Sequence, residues 1–233
     1  MKTVPFTIAH IPAVLYGENA NRIWLFVHGK HGRKEEAESF AETVCSNGWQ
    51  VLSIDMPEHG QRQGNPEKLA PWTVVPELQT VMAYARKNWV WVGLRANSIG
   101  AWFSMLAFQE ITPGRSLFVS PILNMAELID TMMDWAGVTK AELEENQQIE
   151  TSFGETLSWV YRQYALAHHI KHWRSQTAIL YAGQDNLTSR QTVEDFCARF
   201  HADLTIMEDG EHWFHTPQQL EVLERWTREQ TEG

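Results

Sequence analysis

The sequence has few cysteines and no long uninterrupted apolar segment. Only Cys45 and Cys197 occur among 233 residues, which is too few for a disulfide framework, although one bridge stays open. Near the N-terminus, His10 and Pro12 interrupt the apolar residues, so neither a secretory signal nor a transmembrane segment is expected. A cytoplasmic protein with no membrane partner is the expectation.

Basic charge is also scarce. The chain has 19 Lys and Arg against 29 Asp and Glu, which gives a formal net charge of −10. This balance argues against nucleic acid or an anionic membrane as the main partner. The glycine spacings of a phosphate-binding loop and of a dinucleotide-binding turn are both missing, so no nucleotide cofactor is expected. The sequence leaves the oligomeric state open.

What the sequence does contain is a regular alternation of strand-like and helix-like segments. Helical spacing of apolar residues recurs between short runs that are apolar enough for burial on both faces, as in a parallel sheet. These runs predict six strands, at 23–27, 51–54, 89–94, 117–119, 178–181 and 204–207. The pattern predicts an α/β fold with a doubly wound, mostly parallel sheet. The length fits one domain over 1–233, with one or two antiparallel edge strands before Tyr16.

One segment interrupts the alternation. Residues from about 121 to 175 separate two predicted strands and have mostly helical spacing. We predict three helical pieces there, at 125–135, 140–148 and 157–172. Because the segment is too small for an independent domain, we expect a small helical cap inserted before the strand that leads to Asp185.

Three residues with catalytic chemistry follow predicted strands. Ser98 lies in Arg-Ala-Asn-Ser-Ile-Gly after 89–94, Asp185 follows 178–181, and His212 follows 204–207. Functional residues gather beyond the carboxyl ends of parallel strands. Serine, aspartate and histidine in this chain order are what a hydrolase triad on such a sheet requires.

Five segments together resemble the α/β-hydrolase superfamily, in its order and over nearly the whole chain. They are HGKHG (28–32), DMPEHG (55–60), NSIG (97–100), GQD (183–185) and GEH (210–212). DMPEHGQR is also similar to segments of small bacterial serine carboxylesterases. The motif G-x-S-x-G has glycine where this chain has Ala96, but the turn requires only small residues there, and the family pattern tolerates alanine.

The resemblance implies a role for each site residue. Ser98 would be the nucleophile, His212 its base, and Asp185 the group that orients the imidazole. The backbone N–H groups of Lys30 and Ile99 would hold the developing oxyanion. This chemistry requires no metal and no organic cofactor.

Simpler interpretations compete with these roles. Ser98 could cap the helix that follows it, and Asp185 could be a turn residue or a cap for the helix near Thr188. His215 lies close enough in sequence to replace His212 as the base. We favour His212 because Gly-x-His after the last strand matches the family pattern.

The other histidines and the tryptophans carry weaker signals. His28 and His59 are expected to hydrogen-bond loop backbones at the mouth of the site. His168 and His172 lie four residues apart on a predicted helix, yet no third ligand is evident, so no metal site is expected. Most of the eleven tryptophans are expected to fill the core. Trp135, Trp159 and Trp213 are the candidates for the substrate pocket.

The expected function is hydrolysis of small carboxylic esters through an acyl-enzyme on Ser98, so the expected partner is a small acyl ester. Two alternatives stay open. A thioesterase or carbon–carbon bond hydrolase or lyase would use the same triad, and a non-catalytic binding protein would keep only the fold.

Overall fold

Ten strands supply the framework of the chain. The computed structural model describes residues 1–232. Within this range the strands are β1 Thr3–Ile8, β2 Ile11–Tyr16, β3 Arg22–Val27, β4 Gln50–Ile54, β5 Trp91–Asn97, β6 Arg115–Val119, β7 Gln148–Glu150, β8 Thr156–Ser158, β9 Gln176–Ala182 and β10 Asp203–Met207. Eight of them form one sheet in the order β1-β2-β4-β3-β5-β6-β9-β10.

The sheet is parallel from β4 to β10 and antiparallel at one edge. β3 pairs in parallel with both β4 and β5, and β9 with both β6 and β10. β1 and β2 form an antiparallel hairpin, and β2 joins β4 in antiparallel register. The predicted doubly wound, mostly parallel sheet and its antiparallel edge are thus confirmed. The strand predicted to start at Trp89 starts at Trp91 instead, because the preceding helix continues to Asn88.

Helices cover both faces of the sheet. They are α1 Ala37–Cys45, α2 Pro71–Asn88, α3 Ile99–Phe108, α4 Met125–Ala136, α5 Lys140–Asn146, α6 Trp159–Ala167, α7 Arg190–Phe200 and α8 Pro217–Thr231. α2 packs against α3 over one face, and α1 packs against α8 over the other. α8 begins with a capping box between Thr216 and Gln219. No helix within residues 1–232 is long and apolar enough to cross a bilayer.

The segment inserted between β6 and β9 is not purely helical. Two of the predicted helices form, as α4 and α5, but a hairpin of β7 and β8 follows them. The third prediction, a helix over 157–172, is wrong at both ends. Leu157 lies on β8, Ser158 caps α6 by accepting a hydrogen bond from the Tyr161 N–H, and α6 ends at Ala167. The cap residue falls inside the apolar spacing that suggested one longer helix.

Within residues 1–232, one buried cation has no acidic partner. Arg95 of β5 is 3% exposed, and its Nη1 reaches only the Ala96 carbonyl, at 3.4 Å. Aromatic rings surround it, since its Cζ lies 5.8 to 5.9 Å from the ring centres of Phe26, Phe40 and Trp226. Burial lowers the pKa of Arg95 to about 9. Cation–π contacts of this kind offset only part of the cost of desolvating a charge.

We therefore predict that Arg95→Met stabilises the protein. Methionine keeps much of the side-chain volume and removes the unpaired charge, so the free energy of unfolding should rise by about 2 kcal/mol. Urea denaturation at pH 7 measures the change. Arg225→Met is the matched control. Because Arg225 is exposed, this variant should change the free energy of unfolding little. A loss of stability in Arg95→Met would show that the ring contacts outweigh desolvation.

Candidate active site

Ser98 lies at a sharp turn between β5 and α3. Its backbone has φ 49° and ψ −124°, a region that non-glycine residues rarely occupy. The side chain makes no capping hydrogen bond to α3; instead Ser98 Oγ lies 2.8 Å from Nε2 of His212. The interpretation of Ser98 as a simple helix cap is therefore wrong.

Close packing around the turn explains why its neighbours are small. A Cβ at Gly100 would lie 2.4 Å from the His28 carbonyl oxygen and 2.8 Å from that of Val27, so any larger residue would push α3 away from β3. Ala96 is fully buried on β5, between Val27 of β3 and Phe118 of β6. The methyl group of alanine fits there. The departure from G-x-S-x-G does not distort the turn.

Asp185 lies in the loop after β9 and is held from two sides. Its carboxylate is fully buried, and Oδ1 accepts hydrogen bonds from the N–H groups of Leu187 at 2.8 Å and Thr188 at 3.2 Å. Oδ2 lies 2.7 Å from Nδ1 of His212. Asp185 is thus a turn residue and also a partner of the histidine, while α7 is capped by Ser189 instead.

His212 reaches both partners because two loops are fastened together. Gly183 donates a backbone hydrogen bond to Met207, and Gln184 donates one to Gly210, at 2.8 and 2.9 Å. A Cβ at Gly183 would lie 2.4 Å from the Glu208 carbonyl oxygen, so only glycine allows this approach. Since a carboxylate only accepts hydrogen bonds, Asp185 fixes the proton on Nδ1 and leaves Nε2 free to accept one from Ser98.

His215 does not compete for this position. Its Nδ1 lies 2.7 Å from the Trp213 carbonyl oxygen and 3.4 Å from a carboxylate oxygen of Glu211. Its ring stacks on Trp213, with the centroids 4.7 Å apart. Within the described chain it has no hydrogen bond to Ser98 or Asp185.

The two candidate oxyanion donors flank Ser98. Ile99 is the first residue of α3, so its N–H has no acceptor within the helix, and the positive end of the helix dipole lies there. Lys30 follows Gly29, at which a Cβ would lie 3.2 Å from the Cβ of Ser98. Neither N–H group donates a hydrogen bond to an acceptor in residues 1–232. The Lys30 side chain forms an ion pair with Glu155, in the loop between β7 and β8.

The segments HGKHG and DMPEHG are joined by hydrogen bonds. Met56 N–H donates to Nε2 of His28 at 3.1 Å, and His31 N–H donates to Nε2 of His59 at 2.8 Å. The other ring nitrogen of each histidine donates to a carbonyl of its own loop, at 2.7 Å. The predicted loop-fixing role of His28 and His59 is confirmed. Burial lowers the pKa of both rings, that of His28 to about 4.

Asp55 completes this support. Its carboxylate accepts hydrogen bonds from the N–H and the ammonium group of Lys34, at 2.8 and 2.7 Å, and from the Gln61 N–H at 3.0 Å. Burial raises the pKa of Asp55, but these hydrogen bonds outweigh it and hold the pKa below its usual value. A Cβ at Gly60 would lie 2.1 Å from Asp55 Oδ1, which explains the glycine that ends the motif.

The three tryptophans expected at the substrate pocket lie in different surroundings. Trp213, next to His212, is 74% exposed. Trp135 is 49% exposed and meets Phe153 edge to face. Trp159 is half-buried at the start of α6, with the Arg162 guanidinium 5.8 Å from its ring centre. Their place in a pocket stays a prediction.

Sequence reasoning missed an aromatic cluster beside the turn. Trp102, one helical turn after Ser98, stacks on Tyr161 of α6 at 5.9 Å, and Trp72 packs against both Tyr161 and Tyr164. Burial raises the pKa of Tyr161 above its ordinary value. The cluster joins the inserted segment to α2 and α3. No short-range signal marks it, because its members come from three separate segments.

The expected helical pair of His168 and His172 does not form. Since α6 ends at Ala167, the two residues are not on one helix face, and His168 instead stacks on Tyr164 with its Nδ1 near the Tyr164 carbonyl. Within residues 1–232 no group of three His, Cys, Asp or Glu side chains is arranged to hold a metal ion.

Comparison with known proteins identifies the architecture. No family model matches the chain, and no curated protein matches it in sequence. Among solved structures, Est1E from Butyrivibrio proteoclasticus with ferulic acid bound is 18% identical, with a TM-score of 0.78 over 98% of each chain. The mouse alpha/beta hydrolase domain-containing protein 10 is 12% identical, with a TM-score of 0.78 over 100% of this chain and 99% of that one. The chain has the α/β-hydrolase fold.

A further structural neighbour extends the comparison. The thioesterase domain from the curacin biosynthetic pathway is 13% identical, with a TM-score of 0.66 over 97% of this chain and 99% of that one. A hydrolase domain-containing protein and a thioesterase domain thus share the fold seen here. At these identities the likeness defines the fold and leaves the substrate to the residues of the site.

The buried histidines of this α/β-hydrolase fold predict acid sensitivity. His28 has a folded pKa of about 4, below its unfolded value of about 6.5. The unfolded chain therefore binds a proton that the folded chain does not, and stability is lost as pH falls from about 6.5 toward 4. The free energy of unfolding should fall by about 2 kcal/mol between pH 6.5 and 5 through His28 alone.

Urea denaturation across this pH range measures the effect. His28→Asn should be less stable than the parent at pH 7 but show a flatter pH dependence. His169→Asn, at an exposed position, should keep the parent slope. An unchanged slope in His28→Asn would contradict the prediction.

Proposed function

We propose that this protein is a serine hydrolase that cleaves small carboxylic esters through an acyl-enzyme on Ser98. The supporting observation is the continuous hydrogen-bond chain from Ser98 Oγ to His212 Nε2 at 2.8 Å and from His212 Nδ1 to Asp185 Oδ2 at 2.7 Å. The chain links a strained, partly exposed serine to a fully buried carboxylate. This arrangement serves acyl transfer, because a serine hydroxyl needs an adjacent base to attack a carbonyl.

The proposed acylation begins with a proton transfer within this hydrogen-bond chain. His212 Nε2 takes the Ser98 hydroxyl proton while Oγ bonds to the ester carbonyl carbon. The carbonyl π electrons move to oxygen, which becomes an oxyanion. The positively charged imidazole is stabilised by Asp185. When the tetrahedral intermediate collapses, the ester C–O bond breaks and His212 gives its proton to the leaving alcohol oxygen.

Deacylation repeats these steps with water. His212 accepts a proton from a water molecule whose oxygen attacks the acyl carbon of the Ser98 ester. Collapse of this second intermediate breaks the bond to Oγ, and the proton on His212 returns to the serine. The products are a carboxylic acid and free enzyme.

The N–H groups of Ile99 and Lys30 are the proposed oxyanion donors. Neither has an acceptor among residues 1–232, and the Ile99 N–H lies at the positive end of the α3 dipole. Donors that are already oriented before the charge develops stabilise it without reorganisation, and one such donor contributes about 10²–10³-fold in rate. The ion pair between Lys30 and Glu155 ties this loop to the inserted hairpin.

Small substrates are proposed because the inserted segment uses its apolar residues for packing. Leu128, Ile129 and Met133 of α4, Leu143 of α5 and Leu157 of β8 are all buried in the main core. These buried side chains are therefore not available to line a long acyl channel. Est1E, a neighbour of similar length, has ferulic acid bound, and a small carboxylic acid is the product class proposed here.

The nucleophile prediction rests on one set of variants. Ser98→Ala should lower kcat for p-nitrophenyl acetate by about 10⁴-fold or more, and His212→Ala by nearly as much, because the three residues act as a unit. Asp185→Asn should cost less. His215→Ala is the matched control and should keep most of the activity. Circular dichroism verifies that each variant is folded.

A fluorophosphonate probe adds an independent readout. The parent should be labelled at Ser98, and labelling should disappear in Ser98→Ala. A folded Ser98→Ala that still hydrolyses esters would overturn the assignment. A parent that neither reacts with the probe nor hydrolyses esters or acyl thioesters would indicate a binding protein instead.

The acyl-size prediction uses a chain-length series. Each buried methylene contributes about 0.8 kcal/mol until the pocket is full, after which overpacking costs more. We therefore expect kcat/KM for p-nitrophenyl esters to peak at about two to six acyl carbons and to fall for longer chains. A steady rise to long chains would indicate an open, lipase-like cleft.

A further inference from the structure

A cavity lies at the end of the sheet opposite to Ser98. It has a volume of about 410 Å³. Its lining includes the first residues of four strands, Arg22 of β3, Trp91 of β5, Arg115 of β6 and Gln176 of β9. The candidate active site lies beyond the carboxyl ends of the same strands. The length of the sheet therefore separates the two sites.

The cavity is positively charged in an acidic protein. Arg22 and Arg115 line it, and no Asp or Glu is among its described lining residues. Within residues 1–232 neither arginine forms an ion pair, although acidic residues outnumber basic ones by 29 to 19. An adjoining depression of about 480 Å³ shares Trp91 and adds Arg86 and Lys87, again without a carboxylate.

The guanidinium groups retain unused donors. Arg22 donates to the Asn47 carbonyl at 2.8 Å and weakly to Gly48 at 3.5 Å, so part of its role is to satisfy carbonyls after α1. Arg115 donates to Oε1 of Gln230 at 2.6 Å. A guanidinium has five N–H donors in a planar fork that matches a carboxylate. Arg115 in particular uses few of them.

Three indoles form the wall beside these charges. Trp24, Trp49 and Trp91 lie with ring centroids 4.7 to 5.7 Å apart, and the Arg22 guanidinium lies 4.0 Å from the ring centre of Trp49. The Trp91 ring is held in place by a glycine, since a Cβ at Gly114 would lie 2.5 Å from its Nε1. Trp24 and Trp49 are buried and Trp91 is half-buried, so the Trp91 ring, packed against the other two, is the part of the wall that favours a flat, unsaturated ligand over a branched one.

Helix ends limit the charge that the ligand can carry. α2 ends at Asn88 and α8 at Thr231, and these residues line the two adjoining cavities. Helix carboxyl ends carry partial negative charge, which opposes a compact dianion such as phosphate. A carboxylate carries a single dispersed charge and accepts two parallel hydrogen bonds from one guanidinium.

We propose that this cavity is a second ligand site, for a planar aromatic monocarboxylate. The carboxylate binds Arg115 and Arg22, and the ring lies against the indole wall. The volume falls within the range of small-molecule pockets, about 300–1,000 Å³. The site is independent of the proposed esterase chemistry at Ser98.

Isothermal titration calorimetry with 2-naphthoate tests the proposal. The comparison ligands are cyclohexanecarboxylate, 2-naphthalenemethanol and inorganic phosphate, which lack the flat ring, the charge and the monocarboxylate respectively. 2-Naphthoate should bind at one site at least tenfold more tightly than each of them. Arg115→Gln and Arg22→Gln should each weaken it at least tenfold, and Arg115→Lys should weaken it less than Arg115→Gln.

Two controls separate this site from the active site. Arg225→Gln removes an exposed positive charge from α8 and should leave binding unchanged, as should Ser98→Ala. Urea denaturation verifies that the arginine variants remain folded. Absence of saturable binding, binding unaffected by either arginine variant, or phosphate binding as tight as naphthoate would each overturn the proposal. These results do not depend on ester turnover.

Discussion

The contact between the start of α3 and the end of β3 constrains everything around the candidate site. Gly100 lies so close to the carbonyls of Val27 and His28 that a Cβ would come within 2.4 Å of one of them. This approach leaves Ser98 at a positive φ and turns its side chain out of the helix cap. Ile99, whose N–H has no acceptor within α3, directly follows this serine. Strain at one residue and the exposure of its hydroxyl thus have a single steric origin.

The loops around this contact are fixed by polar groups that do not reach the serine. His28, His59 and Asp55 connect the two loops that follow β3 and β4, and backbone hydrogen bonds connect those that follow β9 and β10. Loops fixed in this way hold reacting groups in orientation beforehand, so less entropy is lost when the substrate reacts. This support costs stability at acidic pH, because residues such as His28 stay neutral in the folded protein but take up a proton when it unfolds.

Much of this arrangement could be predicted from the sequence, because it depends on local patterns. Apolar runs predicted the six parallel strands, and the residues after those strands singled out Ser98, Asp185 and His212, which the structure brings within hydrogen-bonding distance. The β7–β8 hairpin was missed because it depends on pairing between Ile149 and Leu157, and Ser158 interrupts an apparent helix. The ion pair between Lys30 and Glu155 joins residues far apart in sequence, so no spacing rule could reveal it.

The central claim is that acyl groups pass through a covalent bond to Ser98. The direct measurement is mass spectrometry of peptides from protein quenched in acid during turnover of p-nitrophenyl butyrate, with Asp185→Asn used to slow deacylation. The account predicts one butyryl group on the peptide that contains Ser98, formed at the rate of the initial p-nitrophenol release. Turnover without any adduct, or an adduct on a different residue, would contradict it.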